Sequence, residues 1–274
     1  MIIIGERINS TRKPITAALE VRDAGHILKE AHRQCDAGAT YLDVNTAMMR
    51  ADEPEVMAWV IELIQGELPN SRIAIDSANP AAVEAGFKVH KGQPLLNSIN
   101  AEKQRIGALI PLIREYKPRV IGLTINDEGI TQDADSRYHI GAELIELLSK
   151  NEIELDDIFI DPLSFPISAE LQAGNTSLTI IRRLKESYPG VHTVCGLSNI
   201  SFGLPERRLI NQIYMVLAMG HGLDAAIIDP LDRRMMASII TATTLLGQDK
   251  VCKNYLKAYR RGDLNLDQTT VVVA

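Results

Sequence analysis

The stretch RIAIDSANPAAVEAGFKVHKGQPLLNSIN, residues 72–100, contains a complete strand–helix–strand unit. The apolar run RIAIDS predicts a buried strand. Asn79 and Pro80 follow it, a capping residue and then a proline at the first helical position, so a helix should begin there. PLLNSIN predicts a second strand after that helix. Two strands joined by a helix are typical of a parallel sheet.

The same alternation runs along the whole chain. The eight strand candidates are MIIIGERI, TYLDVN, RIAIDS, PLLNSIN, RVIGLTIN, DIFIDPL, VHTVCGLSN and AAIIDP. Eight strand–helix units in 274 residues predict an α/β fold of one domain, a (β/α)8 TIM barrel. The alternative is an open, doubly wound sheet. Against it, the sequence has no GxGxxG after the first strand and no GxxxxGK[ST].

The ends of the barrel domain follow from the same reading. We place the domain at residues 1–262 and a C-terminal tail at residues 263–274. The segment KNYLKAYRRGDL near the end predicts a solvated helix. Residues 163–175, after the sixth strand, show no clear periodicity and predict an active-site loop.

Composition excludes several classes of protein. The net charge is −6 and no basic stripe is present, which disfavours a nucleic-acid partner. No apolar run reaches membrane length, and the N-terminus lacks the basic region of a signal peptide. Three scattered cysteines form neither disulfide spacing nor a zinc motif. We therefore expect a soluble cytoplasmic protein.

Every predicted strand ends in polar side chains, and in a barrel the carboxyl ends of the strands form the active site. These residues are Glu6, Arg7, Asn9, Asp43, Asn45, Asp76, Ser77, Asn97, Ser98, Asn100, Thr124, Asn126, Asp161, Ser198, Asn199 and Asp229. The set holds one cation and no histidine. Phosphate sites use cations, catalytic zinc uses histidine, and Ser-His-Asp hydrolases need a positioned histidine. We therefore expect no metal site.

A ring of Asp and Asn suits a flat, neutral heterocycle with several N–H donors. A carboxylate accepts two parallel N–H bonds from an aminopyrimidine, and an amide both donates and accepts. Hydrogen bonds to a charged partner contribute about 1.5–3 kcal/mol each. Three or four of them would orient a pterin, although any single Asp or Asn could equally be a turn residue.

The motifs, taken in order, resemble a known family. They are IIIGERIN, LDVN, IDSANP, LNSIN followed by AEK, IGLTIN, IDPL, GLSNISFG and GLDAAIIDP, and they extend from Met1 to about Leu246. Together they are similar to the methyltetrahydrofolate:corrinoid protein methyltransferases, and more distantly to the folate domain of cobalamin-dependent methionine synthase. The resemblance implies a TIM barrel that forms a homodimer.

The resemblance also implies roles for individual residues. Asp76, Asn97 and Asp161 would bind the pterin ring, and Asn199 would reach N5, where the methyl group is carried. We expect the catalytic roles to lie with Asn199, Asp161 and Asp76. The supporting members of the pocket are Asp43, Asn45, Asn126 and Ser198. Glu6, Arg7 and Asn9 match the opening motif of the family, which can serve the barrel mouth without contacting the ligand.

The implied activity is transfer of a methyl group between methyltetrahydrofolate and the cobalt of a corrinoid. No Asp-x-His-x-x-Gly motif is present, so a separate corrinoid protein should dock over the top of the barrel. The direction of transfer stays open. The alternatives are a dihydropteroate synthase-like enzyme and a non-catalytic folate-binding scaffold. The synthases carry Gly-x-Ser-Arg-Lys where this chain has Gly196-Leu197-Ser198-Asn199-Ile200, and two cations suit a pyrophosphate leaving group better than Asn-Ile.

Overall fold

Eight parallel strands form a closed barrel in the order β1 to β8, in a computed structural model that describes residues 1–131 and 133–265. The strands are β1 (Ile2–Asn9), β2 (Tyr41–Asn45), β3 (Ile73–Asp76), β4 (Leu95–Ala101), β5 (Arg119–Asn126), β6 (Ile158–Asp161), β7 (His192–Gly196) and β8 (Ala225–Ile228). β1 pairs with β8, so the sheet has no open edge. The predicted TIM barrel is confirmed, and the doubly wound sheet is not formed.

Helices connect the strands and cover the outside of the barrel. They are α1 (Lys13–Glu20), α2 (Ala24–Asp36), α3 (Glu53–Glu67), α4 (Pro80–Val89), α5 (Lys103–Tyr116), α6 (Ala134–Lys150), α7 (Ala173–Ser187), α8 (Arg207–Gly220), α9 (Arg233–Leu245) and α10 (Lys253–Arg261). The side chain of Asn79 accepts a hydrogen bond from the Ala81 amide at 3.0 Å. The predicted cap of α4 is therefore confirmed.

One buried side chain from each strand fills the interior of the barrel. These residues are Ile4, Tyr41, Ala74, Leu95, Ile121, Phe159, Val194 and Ala225. Side chains alternate between the two faces of a strand, so the residue two positions later points into the barrel again, nearer its C-terminal mouth. The residues at those positions are Glu6, Asp43, Asp76, Asn97, Leu123, Asp161, Gly196 and Ile227. The inward-facing side chains are thus apolar in the middle of the barrel and largely polar two residues later, at its mouth.

Two boundaries differ in detail from the prediction. β7 ends at Gly196, and Ser198 and Asn199 lie in a short 3-10 turn, Leu197–Ser201, rather than in the strand. The segment predicted as a loop over residues 163–175 ends earlier, because α7 begins at Ala173. The predicted C-terminal helix is present as α10. Most of the predicted tail, residues 266–274, lies outside the described residues.

Across the described ranges, no helix combines the length and the apolar character that crossing a bilayer requires.

Candidate active site at the barrel mouth

Carboxyl and amide side chains at the ends of β2, β3 and β4 form a connected network. Asn97 Nδ2 donates to Asp43 Oδ1 at 3.0 Å, and Asn45 Nδ2 donates to Asp76 Oδ2 at 3.0 Å. Asn45 Oδ1 accepts in turn from the Ser10 hydroxyl at 2.8 Å. The Asn45 amide therefore links the adjacent strands β2 and β3, and the Asn97 amide links β4 to β2, so that four of the predicted site residues lie together.

Asp43 and Asp76 share one hydrogen bond between their carboxyl groups. Burial raises the pKa of both, and the charge of Asp76 raises the pKa of Asp43 further. Two adjacent buried carboxyls ionise one at a time. Asp43, whose pKa is raised well above its usual range, is therefore the member of the pair that takes up a proton first, and it donates that proton to Asp76.

Asp161 lies across the mouth, at the end of β6, and backbone groups bind it. Its Oδ1 accepts from the Leu163 amide at 2.7 Å and its Oδ2 from the Gly196 amide at 3.3 Å. Burial raises the pKa of Asp161 to about 6, while the two amides and the charge of Arg137 lower it. The carboxyl is consequently ionised at neutral pH.

Asn199 lies next to this carboxyl in the turn after β7. Its side chain is exposed, and no described residue makes a hydrogen bond with its amide. The amide nitrogen lies 3.6 Å from the position that a Cβ on Gly196 would occupy. Asn199 therefore presents a free amide beside the backbone that binds Asp161.

Two openings lie at the mouth. One cavity of about 450 Å³ is lined by Asp76, Ser77, Ala78, Pro80, Asn97, Ser98, Asn100, Glu102, Gln104, Arg105, Ala108 and Leu123. A second cavity, of about 300 Å³, is lined by Glu6, Arg7, Asn9, Thr11, Arg12 and Asp229. The first volume is within the range of small-molecule sites, and it contains two of the residues that the sequence assigned to a pterin.

Comparison with known proteins identifies the family. The sequence profile described as "Pterin binding enzyme" matches residues 5–229. The chain belongs to the pterin binding enzyme family.

Curated relatives agree with this assignment, and solved structures share the fold. The chain is 35% identical over 266 residues to the methylcorrinoid:tetrahydrofolate methyltransferase of Eubacterium limosum, covering 96% of this chain and 98% of that protein. It is 30% identical over 243 residues to methionine synthase of Mycobacterium tuberculosis, covering 83% of this chain and 20% of that protein. A dihydropteroate synthase from Xanthomonas albilineans superposes with a TM-score of 0.69 at 18% identity, over 90% of this chain and 92% of that one. The last likeness concerns the fold.

Two predicted members of the candidate site lie apart from the network. The Asn126 side chain accepts from the Glu128 amide at 3.1 Å and shapes its own loop after β5. The Ser198 carbonyl accepts from Arg207 at 2.6 Å, while its hydroxyl makes no hydrogen bond with a described residue. Neither residue contacts the carboxyls through a hydrogen bond within residues 1–131 and 133–265.

The opening motif of the family mainly organises the mouth. Arg7 Nε lies 2.6 Å from Glu30 and Nη1 lies 2.6 Å from Asp229, so two carboxylates neutralise it. Glu6 points inward, and burial together with the charge of Asp229 raises its pKa to about 7. Arg7 is therefore structural, whereas Glu6 is a group that titrates near neutral pH.

Residues on helices, which strand ends cannot reveal, complete the site. Arg105 of α5 donates to the carbonyls of Ser77 at 2.8 Å and Ser98 at 2.6 Å, and also to Ala78. Glu53 of α3 accepts from the Ser77 hydroxyl at 2.5 Å. The only signal in the sequence is that each residue lies in the first turn of a helix that follows a strand.

Arg137 of α6 lies behind Asp161 and is 1% exposed. Its Nη1 donates to the carbonyls of Pro162 and Leu163, each at 2.8 Å, and its guanidinium lies over the ring of Phe165. Because the Leu163 amide binds Asp161, Arg137 fixes that carboxyl through the backbone. Nothing in the local sequence distinguishes Arg137 from a solvated helix residue.

Proposed function

We propose that this protein moves the N5-methyl group between methyltetrahydrofolate and the cobalt of a corrinoid. The observation that carries the proposal is the free amide of Asn199 beside Asp161 and opposite the Asp–Asn network. The Eubacterium limosum relative, named for methylcorrinoid and tetrahydrofolate, supports it.

The carboxyls would hold the pterin by its N–H groups. Asp161 and Asp76 are carboxyl acceptors on opposite sides of the mouth, and Asn97 is beside Asp76 in the larger cavity. A neutral, multiply hydrogen-bonding ring matches acceptors that are already fixed by other contacts. Fixed groups avoid the cost of ordering flexible side chains when the ligand binds.

Asn199 would act at N5. In transfer to the corrinoid, N5 takes up a proton from solvent, Co(I) attacks the methyl carbon, the C–N5 bond breaks, and N5 keeps the electron pair of that bond together with the proton. In the reverse direction N5 attacks the methyl group, the Co–C bond breaks, cobalt keeps the electron pair of that bond as Co(I), and N5 releases its proton to solvent. An amide can donate to N5 or accept from N5–H, so it stabilises both states. Positioning of the two reacting groups supplies the rest of the rate acceleration.

A separate protein would deliver the corrinoid. The βα loops at the mouth carry exposed apolar side chains, among them Met48 after β2, Ile130 after β5 and Leu171 after β6. Exposed apolar groups around a site favour protein contact. Docking there would bring the cobalt over Asn199.

The function is tested by mixing the protein with methyltetrahydrofolate and reduced cobalamin. We expect the Co(I) absorbance to be replaced by that of methylcobalamin. Binding of folate without conversion would favour the non-catalytic scaffold. Failure of both binding and conversion would overturn the assignment. Formation of dihydropteroate from a pterin pyrophosphate and p-aminobenzoate would favour the synthase alternative.

We further propose a homodimer formed through α8. Leu209, Ile213, Val216 and Leu217 share one exposed side of this helix, at 40–57% exposure. A self-complementary apolar face suits a two-fold interface. Ile213→Lys should convert the sedimenting species from dimer to monomer, and a wild-type monomer would contradict the proposal.

The three cysteines are free thiols, which fits a cytoplasmic location.

A further inference from the structure

Two arginines at the mouth are oriented by neutral groups and not by carboxylates. Arg12, before α1, donates to the Arg7 carbonyl at 3.0 Å. Arg207, at the start of α8, donates to the Ser201 hydroxyl at 3.0 Å and to the Ser198 carbonyl at 2.6 Å. Within residues 1–131 and 133–265, neither forms an ion pair. Hydrogen bonds therefore fix the orientation of both side chains, while their positive charges remain available to bind an anionic group of a ligand.

Arg7, at the same end of the barrel, differs from these two arginines because carboxylates neutralise its charge. It lies on β1 and contacts Glu30 of α2 and Asp229 after β8 directly. Arg12 lines the smaller cavity beside it, and both Arg12 and Arg207 lie close enough to the Glu6 carboxyl to lower its pKa. The two free cations therefore converge on the sector of the mouth formed by β7, β8 and β1.

An aromatic ring lies beside one of them. Phe202 is 63% exposed, and the Arg207 guanidinium lies 5.9 Å from its ring centroid. Exposed aromatic rings next to a cation are suited to stack on a flat ring of a ligand. Phe202 follows Asn199 by three residues, directly after the turn that carries the free amide.

The chemistry of folate connects these groups. N5 and C6 are adjacent atoms of the pterin, and C6 carries the p-aminobenzoyl-glutamate tail. If N5 lies at Asn199, the tail leaves the barrel on the side of β7. That tail consists of a flat ring followed by carboxylates, which are the only anionic groups of the molecule.

We propose that Phe202, Arg207 and Arg12 bind the p-aminobenzoyl-glutamate tail of the folate substrate. Phe202 stacks on the benzoyl ring, and the two guanidinium groups bind the glutamate carboxylates. The site rests on the proposed function, because it assumes a folate with N5 at Asn199. It also implies that additional glutamates on the tail strengthen binding through the same two cations.

The test distinguishes binding of the tail from binding of the pterin ring. Calorimetry would compare tetrahydrofolate, its triglutamate and the tail-less 6-methyltetrahydropterin on the wild type and on Arg12→Gln, Arg207→Gln and Phe202→Ala. We expect each arginine variant to weaken tetrahydrofolate binding about 3- to 10-fold, as for partly exposed charged contacts. The affinity for 6-methyltetrahydropterin should not change. Arg208→Gln, the adjacent arginine of α8, is the matched control and should bind all three ligands as the wild type does.

A second measurement needs no substitution. In the wild-type protein, added salt should weaken tetrahydrofolate binding more than 6-methyltetrahydropterin binding, because salt screens contacts of exposed charges. Equal losses for both ligands, or none, would overturn the tail site. So would variants that bind folate normally but fail only with a corrinoid protein, since the arginines would then contact that partner. A wild type that binds neither ligand would instead overturn the proposed function.

Discussion

The two sides of the barrel mouth stabilise their carboxyl groups in different ways. On β2 and β3, Asp43 and Asp76 contact each other and the amides of Asn97 and Asn45. On β6, Asp161 accepts from two backbone amides and has no carboxyl partner among the described residues. A shared proton leaves one charge for two acids, whereas backbone donors allow a single acid to ionise.

This difference indicates that the two sides of the mouth have different roles. The side of β2 to β4 is an interlinked surface in which the carboxyls of Asp43 and Asp76 share a proton. The side of β6 and β7 combines an ionised carboxylate with the free amide of Asn199. We infer that the first side mainly orients the ligand and that the second side mainly determines affinity and rate.

The largest expected effect is at Asn199. Asn199→Ala should slow methyl transfer about 10- to 1000-fold at saturating folate, or roughly 1.4–4 kcal/mol, because N5 loses its hydrogen-bond partner in the transition state. Folate affinity should change much less. Stopped-flow loss of Co(I) absorbance would give the rate and calorimetry the affinity. An unchanged rate at saturating folate would remove Asn199 from the mechanism.

Asp161→Asn should weaken folate binding by about 1.5–3 kcal/mol, the contribution of a charged hydrogen bond. The substituted amide also brings a second donor towards the Gly196 or Leu163 amide. In the wild type, affinity should fall as the pH drops below about 6, where Asp161 takes up a proton. Calorimetry between pH 5 and 8 would measure both effects.

The variant supplies its own control for the pH effect. If Asp161 is the titrating group, the Asp161→Asn protein should lose affinity much less than the wild type as the pH falls from 7 to 5. The same steep loss in both proteins would assign the titration to another carboxyl.

Much of this arrangement follows from the sequence. The apolar runs identified all eight strands, and polar residues at their ends identified the mouth. The alternation of side chains along a strand also shows which of these polar residues point into the barrel. Asp43 follows the buried Tyr41 by two positions, and Asp161 follows the buried Phe159 in the same way. Ser198 and Asn199 were harder to place, because β7 ends before them and a 3-10 turn sets their direction.

The protonation states could not be predicted, because they depend on contacts between distant segments. Asp161 is fixed through Arg137, which belongs to a helix that looks amphipathic and ordinary in sequence. Arg7 lies in the opening motif of the family, and its ion pair with Asp229 joins residues 222 positions apart. Only the closed barrel brings those charges together.

Glu6 gives a way to test the charge of the mouth as a whole. It faces Asp43, Asp229, Arg7, Arg12 and Arg207, and its pKa is raised from 4.5 to about 7. A raised pKa means that the folded protein binds the proton more tightly, so this group's stabilisation is complete below pH 4.5 and is lost as the pH rises through 7.

Glu6→Gln should remove that dependence. Relative to the wild type, the variant should gain about 1–3 kcal/mol of unfolding free energy between pH 4 and pH 8, from the size of the shift. Urea unfolding at several pH values would measure the difference. A difference between the two proteins that does not vary with pH would show that Glu6 ionises normally.

The smallest effect is expected at Asp43, and it is the sharpest test of the contrast between the two sides. A protonated carboxyl accepts at one oxygen and donates at the other, and an amide does the same. In Asp43→Asn, the oxygen can accept from Asn97 while the nitrogen donates to Asp76, so both contacts persist. Stability and folate affinity should each change by less than about 0.5 kcal/mol, whereas Asp43→Ala should cost about 1–3 kcal/mol of stability by leaving the Asn97 amide unpaired. If Asp43→Asn weakened folate binding as much as Asp161→Asn, Asp43 would have to be ionised, and the two sides of the mouth would bind the pterin in the same way.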